Sequence, residues 1–261
     1  AGHDPSAADP AEWEITVESG LRLNDLAEML RRKDPGTKDD PEAVKRFGKT
    51  RTPYVYPPDP TETTATVGGT IATNASGART FYYGPTREYV TGLEAVLPSG
   101  ELLKVRRGQV FEKDGFFTIP RDQGEPLKVP APGYRMPETK HAAGFYSAPG
   151  MDLVDLFIGS EGILGIVVRA TLRLVQAPDG IMGAVGFFPS EEKAIDFVER
   201  ARAQQPRPLA LEYFDRDSLG LLREAREKEG SASEMPAVPD AGGAVYFEIA
   251  FSGPDAGPGL E

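Results

Sequence analysis

Two glycine-rich runs, residues 66–77 (TVGGTIATNASG) and 159–167 (GSEGILGIV), constrain this chain more than any other feature. Each sets residues without side-chain bulk beside small hydroxyl and amide groups. A backbone needs that combination where it must lie directly against a large, polar, anionic ligand. In the first run, Gly68 and Gly69 let the main chain approach closely and can offer N–H groups to a pyrophosphate. Thr66, Thr73, Asn74 and Ser76 supply neutral donors and acceptors, and Gly77 permits a sharp exit. The plainer reading of this run is a strand and turn with incidental glycines. The second run carries Glu161 and the glycines Gly159, Gly162 and Gly165 at three-residue spacing, and leads straight into an apolar strand. Its plainer reading makes Glu161 a turn cap. A nicotinamide-binding turn is disfavoured, because there the strand precedes the glycines and a helix follows them. The G-x-x-x-x-G-K-[ST] pattern of a nucleoside triphosphate site is missing.

Charge and composition narrow the partners. The 261 residues carry a net charge of −11, from 40 acidic against 29 basic side chains. A surface of that sign repels nucleic acid and anionic membranes. There is no cysteine, which excludes disulfides, thiolate metal sites, a cysteine nucleophile and a cysteinyl–flavin bond. That suits a cytoplasmic chain, with a peripheral membrane association left open. No apolar run approaches the ~18 residues of a membrane span. The N-terminal residues AGHDPSAADPAEWE lack the basic start and apolar core of a signal peptide.

Along the chain, Trp13, Ile15 and Val17 alternate as in a strand, and Asn24 reads as the N-cap of a short helix with Leu26, Met29 and Leu30 on one face. Residues 34–64, rich in Pro, Asp and Thr, read as loop. Leu93, Ala95 and Leu97 alternate into Pro98-Ser99-Gly100, and extended character resumes at 102–105, which predicts a hairpin. Residues 106–150 are an irregular excursion carrying one extra hairpin. In the strand after the second run, Ile166, Val168, Ala170, Leu172 and Leu174 face one way, and Arg169, Thr171 and Arg173 the other. Ala177-Pro178-Asp179-Gly180 marks a boundary between a first domain, 1–180, and a second, 181–261. The second reads as strand (182–188), helix (190–204), strand (209–214), helix (217–229), a flexible stretch (230–243) and strand (244–251), an α+β layer of ferredoxin-like type.

The segments PDPTETTATVGGTIATNASG, YYGPTREYVTGLEAVLPSG and DLFIGSEGILGIVVRATLRLV, in this order, resemble the FAD-linked oxidases of the vanillyl-alcohol oxidase (PCMH) type. The similarity is greatest to the D-lactate, glycolate and D-2-hydroxyglutarate dehydrogenase branch, over residues 14–176 and more loosely over 181–251. It implies an α+β chain: the second subdomain of a PCMH-type FAD-binding domain, then the start of a ferredoxin-like cap. By that resemblance 58–63, with Pro58, Asp59, Pro60 and Thr61, and 72–77, with Ala72, would wrap the flavin and diphosphate. Tyr83 and Gly84 would lie by the isoalloxazine ring. Residues 161–167, including Gly162, Gly165, Ile166 and Val167, would meet the adenosine half through main chain, as a strand edge meets an adenine edge. Lys140-His141-Ala142-Ala143-Gly144 would approach the flavin from the loop side.

The resemblance finds no counterpart for the family's first subdomain, whose own Gly-rich loop grips the diphosphate, nor for its later histidine-rich segment. On its own the chain is therefore expected to bind FAD weakly. His3 and His141 are the two histidines and make no metal site. The activity implied is oxidation of a small 2-hydroxy acid by hydride transfer to flavin N5, with electrons passing to a quinone, an electron-transfer flavoprotein or a cytochrome. No catalytic residue is assigned: Tyr83 and His141 are weak candidates for the base. Arg87 is a candidate for a carboxylate or phosphate, against a plainer surface ion pair with Glu88 or Glu94. Two alternatives stand beside this reading. One is an ether-lipid synthase-like FAD enzyme; the other is a non-catalytic FAD-holding subunit that joins a second polypeptide supplying the missing subdomain.

Overall fold

The computed structural model describes residues 13–36, 39–121, 124–230 and 235–251. The tail bearing His3 lies outside them, as does part of the stretch expected to be flexible at 230–243. The described residues gather into two units, one of 13–77 with 84–177 and the other of 78–83 with 178–251.

In chain order the first part comprises β1 (Glu14–Glu18), α1 (Leu23–Arg32), α2 (Pro41–Gly48), β2 (Tyr54–Val55), α3 (Val67–Thr73) and α4 (Thr80–Tyr83), of which α4 belongs to the other unit. After a 3-10 turn at Thr86–Glu88 come β3 (Val90–Val96), β4 (Leu102–Arg106), β5 (Phe116–Ile119), β6 (Leu127–Pro130), α5 (Leu153–Phe157), β7 (Ile166–Arg173) and β8 (Val175–Gln176). The main sheet is antiparallel in the order β1-β7-β3-β4. Its hydrophobic side packs on α1, α3 and α5, with Leu26, Leu30, Val67, Ile71, Leu93, Ala95, Leu153, Val154, Ala170 and Leu172 all buried.

The hairpin expected at 93–105 is β3–β4; Gly100, at φ 85°, donates its N–H to Leu97 O at 2.8 Å. The excursion carries the β5–β6 hairpin.

Three expectations change. Asn24 is not the N-cap of α1: that residue is Arg22, and the Asn24 carboxamide accepts from Asp25 N–H one position on. The loop expected over 34–64 contains α2 and β2. Asp40 caps α2 by accepting from Ala43 N–H, Pro41 occupies its first turn, and Phe47 buries its one apolar anchor. Along β7 the pairing skips a residue, Glu94 facing Arg169 while Ala95 faces Val167. The extra residue, Val168, reverses the side on which the strand's first residues point, so Ile166 is 70 % exposed rather than in the core.

The second unit adds β9 (Gly180–Phe188), α6 (Glu191–Ala203), β10 (Ala210–Asp215), α7 (Arg216–Glu229) and β11 (Gly243–Phe251). β11 lies between β9 and β10 and is antiparallel to both. The β9–α6–β10 crossover is therefore split by β11, which is the ferredoxin-like α+β arrangement. Ser190 and Asp215 cap the two helices. Phe188, Phe197 and Phe247 pack ring to ring at 5.3 and 5.4 Å between sheet and helix. On the other side of β9, Ile181, Val185 and Phe187 are exposed.

Candidate cofactor site

The first glycine run folds as helix α3, not as a strand and turn. Thr66 caps it, its hydroxyl accepting from Gly69 N–H at 3.2 Å, and Val67, Thr70 and Ile71 are buried. Asn74 ends it in the left-handed region at φ 47°. A Cβ on Gly68 would stand 2.7 Å from Ser19 Cβ, so this glycine serves helix-to-chain packing. The expectation that the Gly68 and Gly69 N–H groups point at a pyrophosphate is corrected. Gly68 N–H donates to Ser19 O at 2.8 Å and Gly69 N–H to the Thr66 hydroxyl. The run instead presents exposed Gly69 and exposed Thr73, whose hydroxyl donates to Gly69 O at 3.0 Å and keeps its lone pairs.

Residues 58–63 lie against the exit of this run. A Cβ on Gly77 would sit 2.0 Å from Asp59 O, so only glycine lets the two segments meet. Asn24 N–H holds Thr63 O at 3.0 Å, Pro58 is buried, Asp59, Pro60 and Ser76 are half-buried, and Thr61 is exposed.

The second run is hydrogen-bonded to the first. Gly159 N–H donates to Ile71 O at 2.9 Å and Glu161 N–H to Ala72 O at 2.8 Å, capping the C-terminal end of α3. Glu161 and Gly162 are exposed, and a Cβ on Gly165 would meet Val96 O at 2.7 Å. Ile163 is 71 % exposed, beside the comparably open Ile166. β1 ends opposite Arg169, so among the described residues Ile166 and Val167 have ladder partners on the β3 side alone. Their outer backbone edge is open.

Gly84 to Glu88 join the same patch. Thr86 N–H and its hydroxyl both donate to Ala75 O, at 3.1 and 2.9 Å, and Arg87 N–H to Asn74 Oδ1 at 3.0 Å. Gly84 turns at φ 82°. Tyr83 falls in the other unit, where its N–H donates to Arg79 O at 2.9 Å and its ring meets that of Tyr82 edge-on at 4.8 Å.

Beneath this junction is a charge cluster that the sequence reading missed. Asp155, 9 % exposed, accepts from Arg107 at 2.8 and 3.0 Å and from Arg87 at 3.1 Å. Arg87 also donates to the carbonyls of Asp155 and Ile158, at 2.5 and 2.6 Å, and stacks on the Tyr146 ring at 4.4 Å. It is therefore a structural clip, neither a surface partner of Glu88 or Glu94 nor a free anion ligand. Burial lowers its guanidinium below the ordinary arginine value, with Asp155 opposing. The one signal was an Asp inside the apolar run LVDLFI. Among the described residues no three His, Asp or Glu side chains gather as a metal requires, and no helix is long and apolar enough to cross a membrane.

Residues 49–106 match the FAD binding domain family. The chain is 30 % identical over 209 residues to a D-lactate dehydrogenase of Anaerostipes hadrus, covering 80 % of this chain and 33 % of the relative. It is 32 % identical over 184 residues to glycolate oxidase subunit GlcD of Bacillus subtilis, covering 70 % and 32 %. A solved alkyldihydroxyacetonephosphate synthase matches with TM-score 0.59 over 95 % of this chain and 36 % of that one; at 16 % identity this speaks for the fold alone. The chain spans about a third of the length of the relatives it matches.

The residues present suit a flavin dinucleotide. Small and neutral polar groups (Gly69, Thr73, Asn74, Gly162) lie exposed or half-buried on two runs hydrogen-bonded to one another, and the second run carries two exposed isoleucines and an open strand edge. Such a surface accommodates flat rings with polar rims. The chain belongs to the FAD-linked oxidases of the vanillyl-alcohol oxidase (PCMH) type and is similar to the D-lactate, glycolate and D-2-hydroxyglutarate dehydrogenases among them, and its cofactor is FAD.

Proposed function

We propose that this chain carries part of the FAD-binding domain, 1–180, and the start of the substrate domain, 181–261, of a flavoenzyme that oxidises a small 2-hydroxy acid such as D-lactate or glycolate. The observation that carries this is the bonding of the two glycine runs to one another, Ile71 and Ala72 to Gly159 and Glu161, with residues 58–63 and 84–88 fastened to the same patch. FAD, when bound, accepts the hydride of the hydroxy carbon.

The chain's own residues hold and orient it. Pro58, Asp59, Pro60 and Thr61 form one margin of the cradle, and Thr66, Gly68, Gly69, Ala72, Thr73, Asn74, Ser76 and Gly77 its floor. Gly84 stands on the ring side; Tyr83, which the resemblance also assigns there, belongs to the other unit. Glu161, Gly162, Gly165, Ile166 and Val167 meet the adenosine half, where the open edge of β7 offers backbone donors and acceptors. Gly68 acts through packing on Ser19, since its amide is engaged. Electrons then leave to a quinone, an electron-transfer flavoprotein or a cytochrome. The remaining two thirds of the relatives' length supplies the other face of the site, in further chain or in a second polypeptide. The enzyme works in the cytoplasm, consistent with a chain that uses no cysteine.

The test is anaerobic mixing of the FAD-loaded protein with a panel of D- and L-2-hydroxy acids while flavin absorbance is followed. Bleaching by a 2-hydroxy acid supports the reading. A flavin that no member of the panel reduces counts against it and favours the cofactor-holding subunit.

A further inference from the structure

A cavity of about 290 Å³ opens between β1, α1 and α2. It shares no residue with either glycine run, nor with the segments 58–63 and 84–88. Val17, Leu30 and Leu174 form its floor and are buried. Trp13, Met29 and Val44 stand half-buried around it. The space exists because α2 is anchored at one end. In its last turn Phe47 packs on Trp13 at 5.2 Å and on Tyr54 at 6.0 Å. One turn earlier, Ala43 and Val44 line the cavity. Apolar surface left facing water in this way is what an apolar ligand covers.

Three polar side chains reach the wall, Thr16, Asp39 and Asp40. The Thr16 hydroxyl is bonded to that of Thr171 at 3.0 Å. Asp40 caps α2 with Oδ1, which accepts from Ala43 N–H at 2.9 Å. Its Oδ2 is left as an acceptor with no partner among the described residues. Asp39 is already engaged and adds a second negative charge beside Asp40. No cationic side chain lines the cavity: Arg46 is held over the Trp13 ring, 5.6 Å from its centroid, and is not on the wall. The wall is therefore apolar and aromatic, and both of its charges are acids. An anion entering it meets two like charges and no cation, whereas a cation meets an open carboxylate oxygen.

We infer that this cavity binds a small primary amine with an aromatic or branched aliphatic body. The body fills the space between Trp13, Leu30 and Val44, and the ammonium group donates to Asp40 Oδ2. The volume stands at the small end of ligand pockets, which run from about 300 to 1,000 Å³, and suits one ring with a short tail. This site is independent of the flavin cradle and of the proposed reaction.

Trp13 is the one tryptophan of the 261 residues, so its emission reads this cavity directly. Titrating the full chain with 2-phenylethylamine should shift that emission saturably. 2-Phenylethanol, of the same shape without the charge, should bind about three- to tenfold more weakly, as loss of one charge-assisted contact requires. 3-Phenylpropionate should bind more weakly still. Asp40→Asn keeps a capping side chain and removes the charge; it should weaken the amine about three- to tenfold and leave the alcohol within about twofold of wild type. Ala43→Leu fills the space and should abolish the response to every probe while far-ultraviolet circular dichroism stays unchanged. Emission that the amine does not move, equal affinities for amine and alcohol, or unchanged amine affinity in Asp40→Asn overturns the inference. Should either variant fail to fold, the ranking of the probes on the wild-type chain decides. Saturating FAD should leave amine affinity unaltered; competition between the two would put the amine in the cradle and overturn the inference as well.

Discussion

Removing the Asp155 carboxylate should be among the most damaging single changes to this chain. Asp155 is the shared acceptor of two guanidiniums whose side chains are 14 % (Arg87) and 30 % (Arg107) exposed. Asp155→Ala leaves both positive charges close together without their counter-ion. Breaking a buried pair by removing one partner costs about 3–5 kcal/mol. Arg87 keeps the carbonyls of Asp155 and Ile158, and Arg107 keeps those of Val90 and Arg87, so the lower end applies, about 3 kcal/mol. Asp155→Asn retains an acceptor of the same shape and should cost about 2 kcal/mol. Against a typical total of about 5–15 kcal/mol the larger loss is severe. Urea unfolding followed by circular dichroism measures it, with a shifted midpoint at unchanged slope. A loss below about 1 kcal/mol for Asp155→Ala would refute the view that this cluster holds Asn74, Ile158 and Tyr146 in register.

Other changes have equally definite outcomes. Gly77→Ala puts a methyl group 2.0 Å from Asp59 O and should destabilise by about 1–3 kcal/mol while weakening FAD binding; a thermal melt indistinguishable from wild type would contradict the close approach. Leu172→Ala empties a fully buried position in the central strand and should cost about 2–5 kcal/mol, read by the same urea titration. Burial first, and then the hydrogen bond to Glu248, push the Tyr246 phenol up to about 12. Its folded-state pKa is raised, so its contribution to stability is complete below the ordinary value of about 10 and is lost as pH climbs from there toward 12. Ultraviolet titration against Tyr246→Phe should find this late phenol, and Glu248→Gln should make it ionise earlier; an ordinary value in the wild type would dismiss the assignment.

What the sequence disclosed follows from how local each signal was. Period-two patterns and a Pro-Ser-Gly turn identified β1, β7 and the β3–β4 hairpin, because one buried face writes itself into alternating residues. The β9-to-β11 order was legible for the same reason. Helix α3 was hidden, since two adjacent glycines argue against a helix. It forms because Thr66 and Asn74 cap it and because Val67, Thr70 and Ile71 are buried, a tertiary effect. Helix α2 had local signals, Asp40 as cap and Pro41 behind it, but the surrounding prolines and aspartates outweighed them. The bulge at Val168 and the Asp155 cluster depend on which strand or arginine lies opposite, and no spacing along the chain records that. At the site the participating segments were legible, whereas the use of the Gly68 and Gly69 amides inside the protein was not.

Amide hydrogen–deuterium exchange of this chain, with and without saturating FAD, tests most directly whether the two glycine runs form one flavin cradle. Protection should appear in residues 58–63, 66–77 and 159–167, and the β5–β6 hairpin should exchange unchanged. Saturating FAD that leaves both runs unprotected, or that protects the hairpin instead, would contradict the cradle.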